Sequence, residues 1–176
     1  MCKFISFHHK PIDGEIAVSV LDSHSDTEKN LKLNLKLWRE AHYLPDGKVD
    51  LRFTDDDKID REEYRNAFLN RFPTFISFFN WCLIKTNQRE KYGGSLYLSA
   101  LTSAEGLVLP KEIGGWLDLS ALTSAEGLVL PKEISGSLYL SALTSAEGLV
   151  LPKEIGGWLD LSEKVREELK NKKNKL

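Results

Sequence analysis

From Gly94 onward, apolar and polar residues recur with a fixed period of 21, in nearly identical copies. Ser95 to Ile113 is followed by Trp116 to Ile134 and Ser137 to Ile155, and a fourth unit begins at Trp158. Leu96, Leu98, Leu101, Leu107, Leu109 and Ile113 return at equivalent places in the next two copies, six large apolar residues per 21. A short period of this kind implies stacked coils of one supersecondary unit, each burying its apolar side against the next. Leu-x-Leu occurs at Leu96/Leu98 and again at Leu107/Leu109. This predicts one good strand and one shorter extended segment on opposite sides of a flat cross-section. Gly106, Gly114 and Gly115 supply corner residues, and Pro110 ends the second segment. Ser162 is placed to cap a last helix from Glu163 to about Lys172, with Leu161, Val165 and Leu169 covering the final coil.

Upstream of the repeats the period changes. Residues 15–20 alternate strictly, with Ile16, Val18 and Val20 on one face, and predict a strand that residues 3–8 pair with across a loop ending in Asp13-Gly14. Residues 31–37 also alternate and predict a strand. Leu44-Pro-Asp-Gly-Lys48 is a turn signal leading into a further strand over residues 49–53. Asp60 with Glu63 makes a capping box ahead of Tyr64, Ala67, Phe68 and Phe72 at helical spacing, until Pro73 interrupts. The next helix, residues 73–86, carries Phe75, Phe78, Phe79, Cys82 and Leu83 on one face, with Ile76, Trp81 and Ile84 widening it. A helix that apolar needs cover on more than one side, so it is read as the N-terminal cap of the repeat stack. The expected fold class is α+β. A small N-terminal α/β cap domain (1–92) precedes a four-coil leucine-rich or β-solenoid repeat (93–162) and a C-terminal capping helix with a basic tail (163–176).

The unit Leu96-x-Leu98-x-x-Leu101, with its later Leu109-Pro110-x-x-Ile113, resembles short bacterial-type leucine-rich repeats over residues 94–161. The resemblance implies a strand and a returning half in each coil. The Asn or Cys that the family places after its strand corresponds here to Leu101, Leu122 and Leu143, which leaves a horseshoe and a straighter β-solenoid both open. The opening segment, from Met1-Cys-Lys-Phe to Asp22-Ser-His-Ser-Asp26, resembles the first domain of uncharacterised bacterial and phage repeat proteins, which implies no known activity.

Composition narrows the partners. A net charge of -2 and a pI near 6.1 lack the basic footprint that nucleic acid or anionic membrane requires. The basic residues Lys170, Lys172, Lys173 and Lys175 gather at the end of the last helix, where they suit its dipole. Cys2 and Cys82 are far apart and match no zinc spacing, pointing to a reducing compartment. The first ten residues lack the features of a secretory signal. The strongest apolar stretch, residues 75–84, is too short for a span of about 20 residues. A cytoplasmic protein without cofactor, metal or membrane association is expected.

Differences between the copies point to function. Coils one and three read Ser-Leu-Tyr-Leu, whereas coils two and four read Trp-Leu-Asp-Leu. One outward row is therefore Ser95, Trp116, Ser137 and Trp158, and its neighbour is Tyr97, Asp118, Tyr139 and Asp160. Trp and Tyr favour strands and pack diagonally across them, and they are also favoured anchors at interfaces. On the second ground Tyr97, Trp116, Asp118, Tyr139, Trp158 and Asp160 are the expected partner-binding residues of a non-enzymatic protein-interaction module. The alternative is a small enzyme or metal-binding domain, with the repeats serving for targeting. Removal of Met1 would expose Cys2, whose own amine can act as base, with His8, His9, Asp22 and His24 assisting. Asp22-x-His24-x-Asp26 is read as the cap of a helical turn rather than as metal ligands. The run Asp55-Asp56-Asp57 is read as a solvated loop, and no phosphate-loop, HExxH or GxSxG motif is present.

Overall fold

The computed structural model describes residues 5–18 and 31–173. Cys2, Asp22, His24, Asp26 and the end of the basic tail lie outside them. The chain divides into two compact units, Met1–Asn87 and Gln88–Leu176.

Within the first unit, β1 (Ile5–Lys10), β2 (Glu15–Ala17), β3 (Arg39–Tyr43) and β4 (Val49–Leu51) form an antiparallel sheet of order β2-β1-β3-β4. The β1–β2 hairpin matches the expected loop, with Gly14 at φ +71° and its N–H donating to the Lys10 carbonyl at 2.9 Å. At the β3–β4 turn, Gly47 takes φ +88° and Leu44 and Lys48 close the ladder at 2.8 Å, as Pro-Asp-Gly implies. Helices α1 (Arg61–Arg71) and α2 (Phe75–Lys85) follow. Asp60 caps the first by accepting from the N–H groups of Glu62 and Glu63, and Thr74 and Ser77 form a reciprocal capping box on the second.

An aromatic cluster holds these helices to one face of the sheet. Phe7, fully buried, lies 5.4 Å from Phe68 and 4.7 Å from Phe78 between ring centroids. Tyr43 packs against Phe75 and Phe78, and its hydroxyl donates to the Phe72 carbonyl at 2.9 Å. Such pairs add about 0.5–1.5 kcal/mol each beyond the area they bury.

Residues 31–37 do not form the expected strand. Lys32 takes φ +51°, and the Asn34 carbonyl accepts from the N–H groups of Leu37 and Trp38 while its side chain accepts from Lys36. The Asn side chain thus competes with ladder formation, and Leu31, Leu35 and Leu37 are left about half exposed. The strand lies later, at β3, where Ala41 and Tyr43 are the buried alternates.

The second unit is a β-solenoid of about three turns with a spacing of about 21 residues. One parallel sheet stacks the Leu-x-Leu strands β6 (Leu96–Tyr97), β8 (Leu117–Asp118), β10 (Leu138–Leu140) and β12 (Leu159–Leu161). The other stacks β5 (Lys91–Tyr92), β7 (Glu112–Ile113), β9 (Glu133–Ile134) and β11 (Glu154–Ile155). The second ladder is built from Glu-Ile, not from Leu107–Leu109, although Leu107 and Leu109 are buried beneath the turn. The stack also begins before Gly94. Tyr92, 5% exposed, occupies the place of Ile113, so Glu90-Lys-Tyr-Gly-Gly94 is a degenerate half-coil.

Helix α3 (Glu163–Lys173) closes part of the last coil through its side chains. Glu168 accepts from the Ala146 N–H at 2.7 Å, and Lys172 donates to the Ala146 carbonyl at 2.8 Å. Arg166 donates to the carbonyls of Leu161 and Leu159, and the Ser162 hydroxyl donates to that of Leu143 at 3.0 Å. The Leu159 carbonyl, on the edge strand β12, is among the backbone groups that the helix satisfies.

Register also settles the Lys-Glu rows. Lys111, Lys132 and Lys153 directly precede Glu112, Glu133 and Glu154, and in register Glu112 lies opposite Glu133 and Glu133 opposite Glu154. Ion pairs bridge the first step, where the order is reversed: Lys111 meets Glu90 at 2.8 Å and Lys91 meets Glu112 at 3.1 Å. Like charges directly opposite one another are destabilising by some tenths of a kcal/mol each. Exchanging the middle pair, Lys132→Glu with Glu133→Lys, makes every step attractive, and urea unfolding is expected to show about 1 kcal/mol of added stability that shrinks in 1 M salt.

Candidate functional site

The Leu-x-Leu sheet presents its intervening residues outward because side chains alternate along a strand. Tyr97, Asp118, Tyr139 and Asp160 are direct register partners, so they form one row across four strands. Each is partly exposed, while Leu96, Leu98, Leu117, Leu119, Leu138 and Leu140 beneath them are buried. The second row holds Ser95, Trp116, Ser137 and Trp158, with Trp116 45% and Trp158 82% exposed.

The Ser and Trp alternation has a local cause. The Ser95 hydroxyl accepts from the Trp116 N–H at 2.9 Å, and the Ser137 hydroxyl accepts from the Trp158 N–H at 3.0 Å. Each serine thereby caps the start of the next strand. Trp116 leans toward the following coil, where it stands edge-on to Tyr139 at 6.3 Å between centroids. Space for the indole comes from Gly136, whose missing Cβ would collide with the ring and sit 2.7 Å from the Gly115 carbonyl oxygen. Asp118 is steadied by accepting from the Ser120 N–H at 3.0 Å. The six expected partner-binding residues therefore share one surface, and the serine and glycine supports beneath them were not part of the expected set.

The catalytic candidates are arranged differently. His8 and His9 are successive residues of β1, so their side chains point to opposite faces of the sheet, and both are buried. His9 sits in the aromatic core, 5.3 Å from Tyr64 and 5.2 Å from Phe53 between ring centroids. Its Nε2 lies 2.9 Å from the Arg52 carbonyl and its Nδ1 3.1 Å from the Tyr64 hydroxyl. A carbonyl only accepts, so the ring proton is on Nε2 and Nδ1 accepts from the tyrosine. Burial lowers the His9 pKa to about 4, although the bond to Arg52 opposes the shift. Burial likewise raises Tyr64 to about 12. His9 is thus a neutral tie between β1, the Arg52 backbone and α1.

Asp57 departs from the expected solvated loop. Its carboxylate is 8% exposed and receives two bonds from Arg39, at 2.6 and 2.8 Å, with a third from the Thr54 N–H at 2.7 Å. Burial tends to raise its pKa, but the Arg39 bonds and the Thr54 N–H hold it below the usual carboxylate value. A planar guanidinium gripping both oxygens fixes the loop to β3, a pairing that only the fold reveals because 18 residues separate the partners. Cys82 is buried and burial pushes its thiol well up, which disfavours the reactive thiolate. Among the described residues, no group of three or more His, Cys, Asp or Glu is placed to hold a metal ion, and no helix is long and apolar enough to cross a membrane.

Comparison with known proteins gives no match, whether to family models, to characterised proteins or to solved structures.

The His9 environment sets a pH dependence. Above pH 6.5 the histidine is neutral in both folded and unfolded chains and contributes no slope. Between 6.5 and about 4 the unfolded chain binds a proton that the folded one refuses, so stability falls as pH falls. Amide hydrogen exchange of β1 is expected to register a loss of about 2 kcal/mol from pH 7 to pH 5, and His9→Gln, which keeps a donor and an acceptor, is expected to flatten it.

Proposed function

We propose that this chain is a repeat-based protein-interaction module whose outward Leu-x-Leu face grips a protein partner. The observation that carries the proposal is the exposure of Trp158 and Trp116 beside the registered Tyr and Asp row. Strand propensity accounts for aromatics at these positions, and the Trp116–Tyr139 contact satisfies part of their surface. Beyond that contact, the Trp158 indole at the end of the stack stands 82% in solvent, open to a partner. Large aromatic side chains on a rigid support lose little conformational freedom on binding, which is why they serve as anchors. Repeat stacks generally offer such extended surfaces, and in sequence the Leu-x-Leu-x-x-Leu unit resembles that of leucine-rich repeats.

The Trp116→Ala/Tyr139→Ala double variant tests the role. It is expected to lose at least tenfold in partner capture from cell lysate, read by quantitative mass spectrometry, with circular dichroism unchanged. Capture at the original level by the folded variant would overturn the proposal.

A further inference from the structure

We infer that the segment this face receives is a polyproline II strand carrying a basic residue at every third position, an inference that rests on the interaction role proposed above. The basis is the two-coil alternation of the outward rows. Neighbouring strands in a sheet lie about 4.8 Å apart, so like residues in alternate coils recur at about 9.6 Å along the stack. The backbone positions of Trp116 and Trp158 stand in this relation, as do those of Asp118 and Asp160. A partner lying along the stack must repeat its own contacts at that interval.

Of the regular backbones, one matches. An extended strand advances about 3.4 Å per residue, so 9.6 Å falls near the third residue, whose side chain points to the far side. An α-helix rises about 1.5 Å per residue, and its same-face position at i+7 lies at about 10.5 Å. Polyproline II has three residues per turn and rises about 3.1 Å per residue, which returns every third side chain to the same edge at about 9.3 Å. The difference from 9.6 Å is about 0.3 Å over one repeat.

The chemistry of the two rows agrees with the two edges such a helix lays on a surface. Trp116 and Trp158 offer aromatic walls, with Tyr139 edge-on to the first, and aromatic surfaces are what proline rings dock against. Asp118 and Asp160, two residues along the strand from the tryptophans, lie about 7 Å to the side. They complement Arg or Lys on the adjacent edge of the same peptide. Polyproline II is also largely formed before binding, so little ordering of the peptide is needed against a face built on a hydrogen-bonded parallel sheet.

The test is a titration of the full chain with the peptide (Arg-Pro-Pro)4, followed by tryptophan fluorescence. Two controls carry the same charge: (Arg-Gly-Gly)4, which keeps the spacing but not the backbone, and Arg4Pro8, which keeps the composition but not the period. Saturable binding at least tenfold tighter than either control is expected, weakened at least tenfold by Trp158→Ala and severalfold by Asp118→Asn/Asp160→Asn. Trp158 is 82% exposed, so its replacement leaves the core intact. Equal binding of either control, undiminished binding by Trp158→Ala, or no binding of the repeat peptide overturns the inference. If the peptide fails while the Trp116→Ala/Tyr139→Ala variant still loses its captured partner, the polyproline assignment falls and the interaction role stands. If that variant keeps its partner, both fall.

Discussion

The repeat unit depends on one constraint: parallel strands stack with each residue over its own equivalent about 21 positions away. Where the residue is leucine, the constraint builds a continuous core, and Leu117, Leu119, Leu122, Leu138 and Leu140 are fully buried by it. Where the residue is glutamate, the same constraint sets like charge on like charge. Where the copies alternate, it separates what would otherwise collide. Serine leaves room between the two indoles and uses its hydroxyl to cap the neighbouring strand. Glycine at 136 leaves room for the Trp116 ring. The outward pattern is therefore as much a packing solution as a surface.

A stack of identical coils cannot solve its own ends, and both ends of this one depart from the repeat. At the start, Glu90-Lys91 reverses the Lys-Glu order and Tyr92 replaces isoleucine in the core, which turns the first step into an attractive pair of ion pairs. At the finish, Glu168, Lys172 and Arg166 reach back to main-chain groups of the last turn. Val165 is fully buried as part of that closure. Trp158 belongs to the last coil, with no later coil for its indole to lean on, so the most exposed aromatic residue of the face arises from the place where the repetition stops.

In the N-terminal unit, local signals were legible where one residue's chemistry dictates a backbone state. The Asp-Gly and Pro-Asp-Gly turns, the Asp60 cap and both helices were readable for that reason. Alternation over residues 31–37 misled, because Asn34 binds its own neighbours and the leucines find no core to face. His8 and His9 looked like a pair in one dimension, but a strand turns consecutive side chains apart. Arg39 with Asp57, and His9 with Tyr64, were invisible because their partners meet only when distant segments pack.

By itself the sequence determined the period, the inward leucines and the outward Ser/Trp and Tyr/Asp rows, since these follow from repetition and from the two-residue period of a strand. The tertiary structure decided which half of each coil pairs as the second ladder, where the stack begins, which charges meet, and how far each indole stands in solvent. Those outcomes depend on register and on ends, and a repeating sequence reads the same in every register until neighbouring coils are stacked.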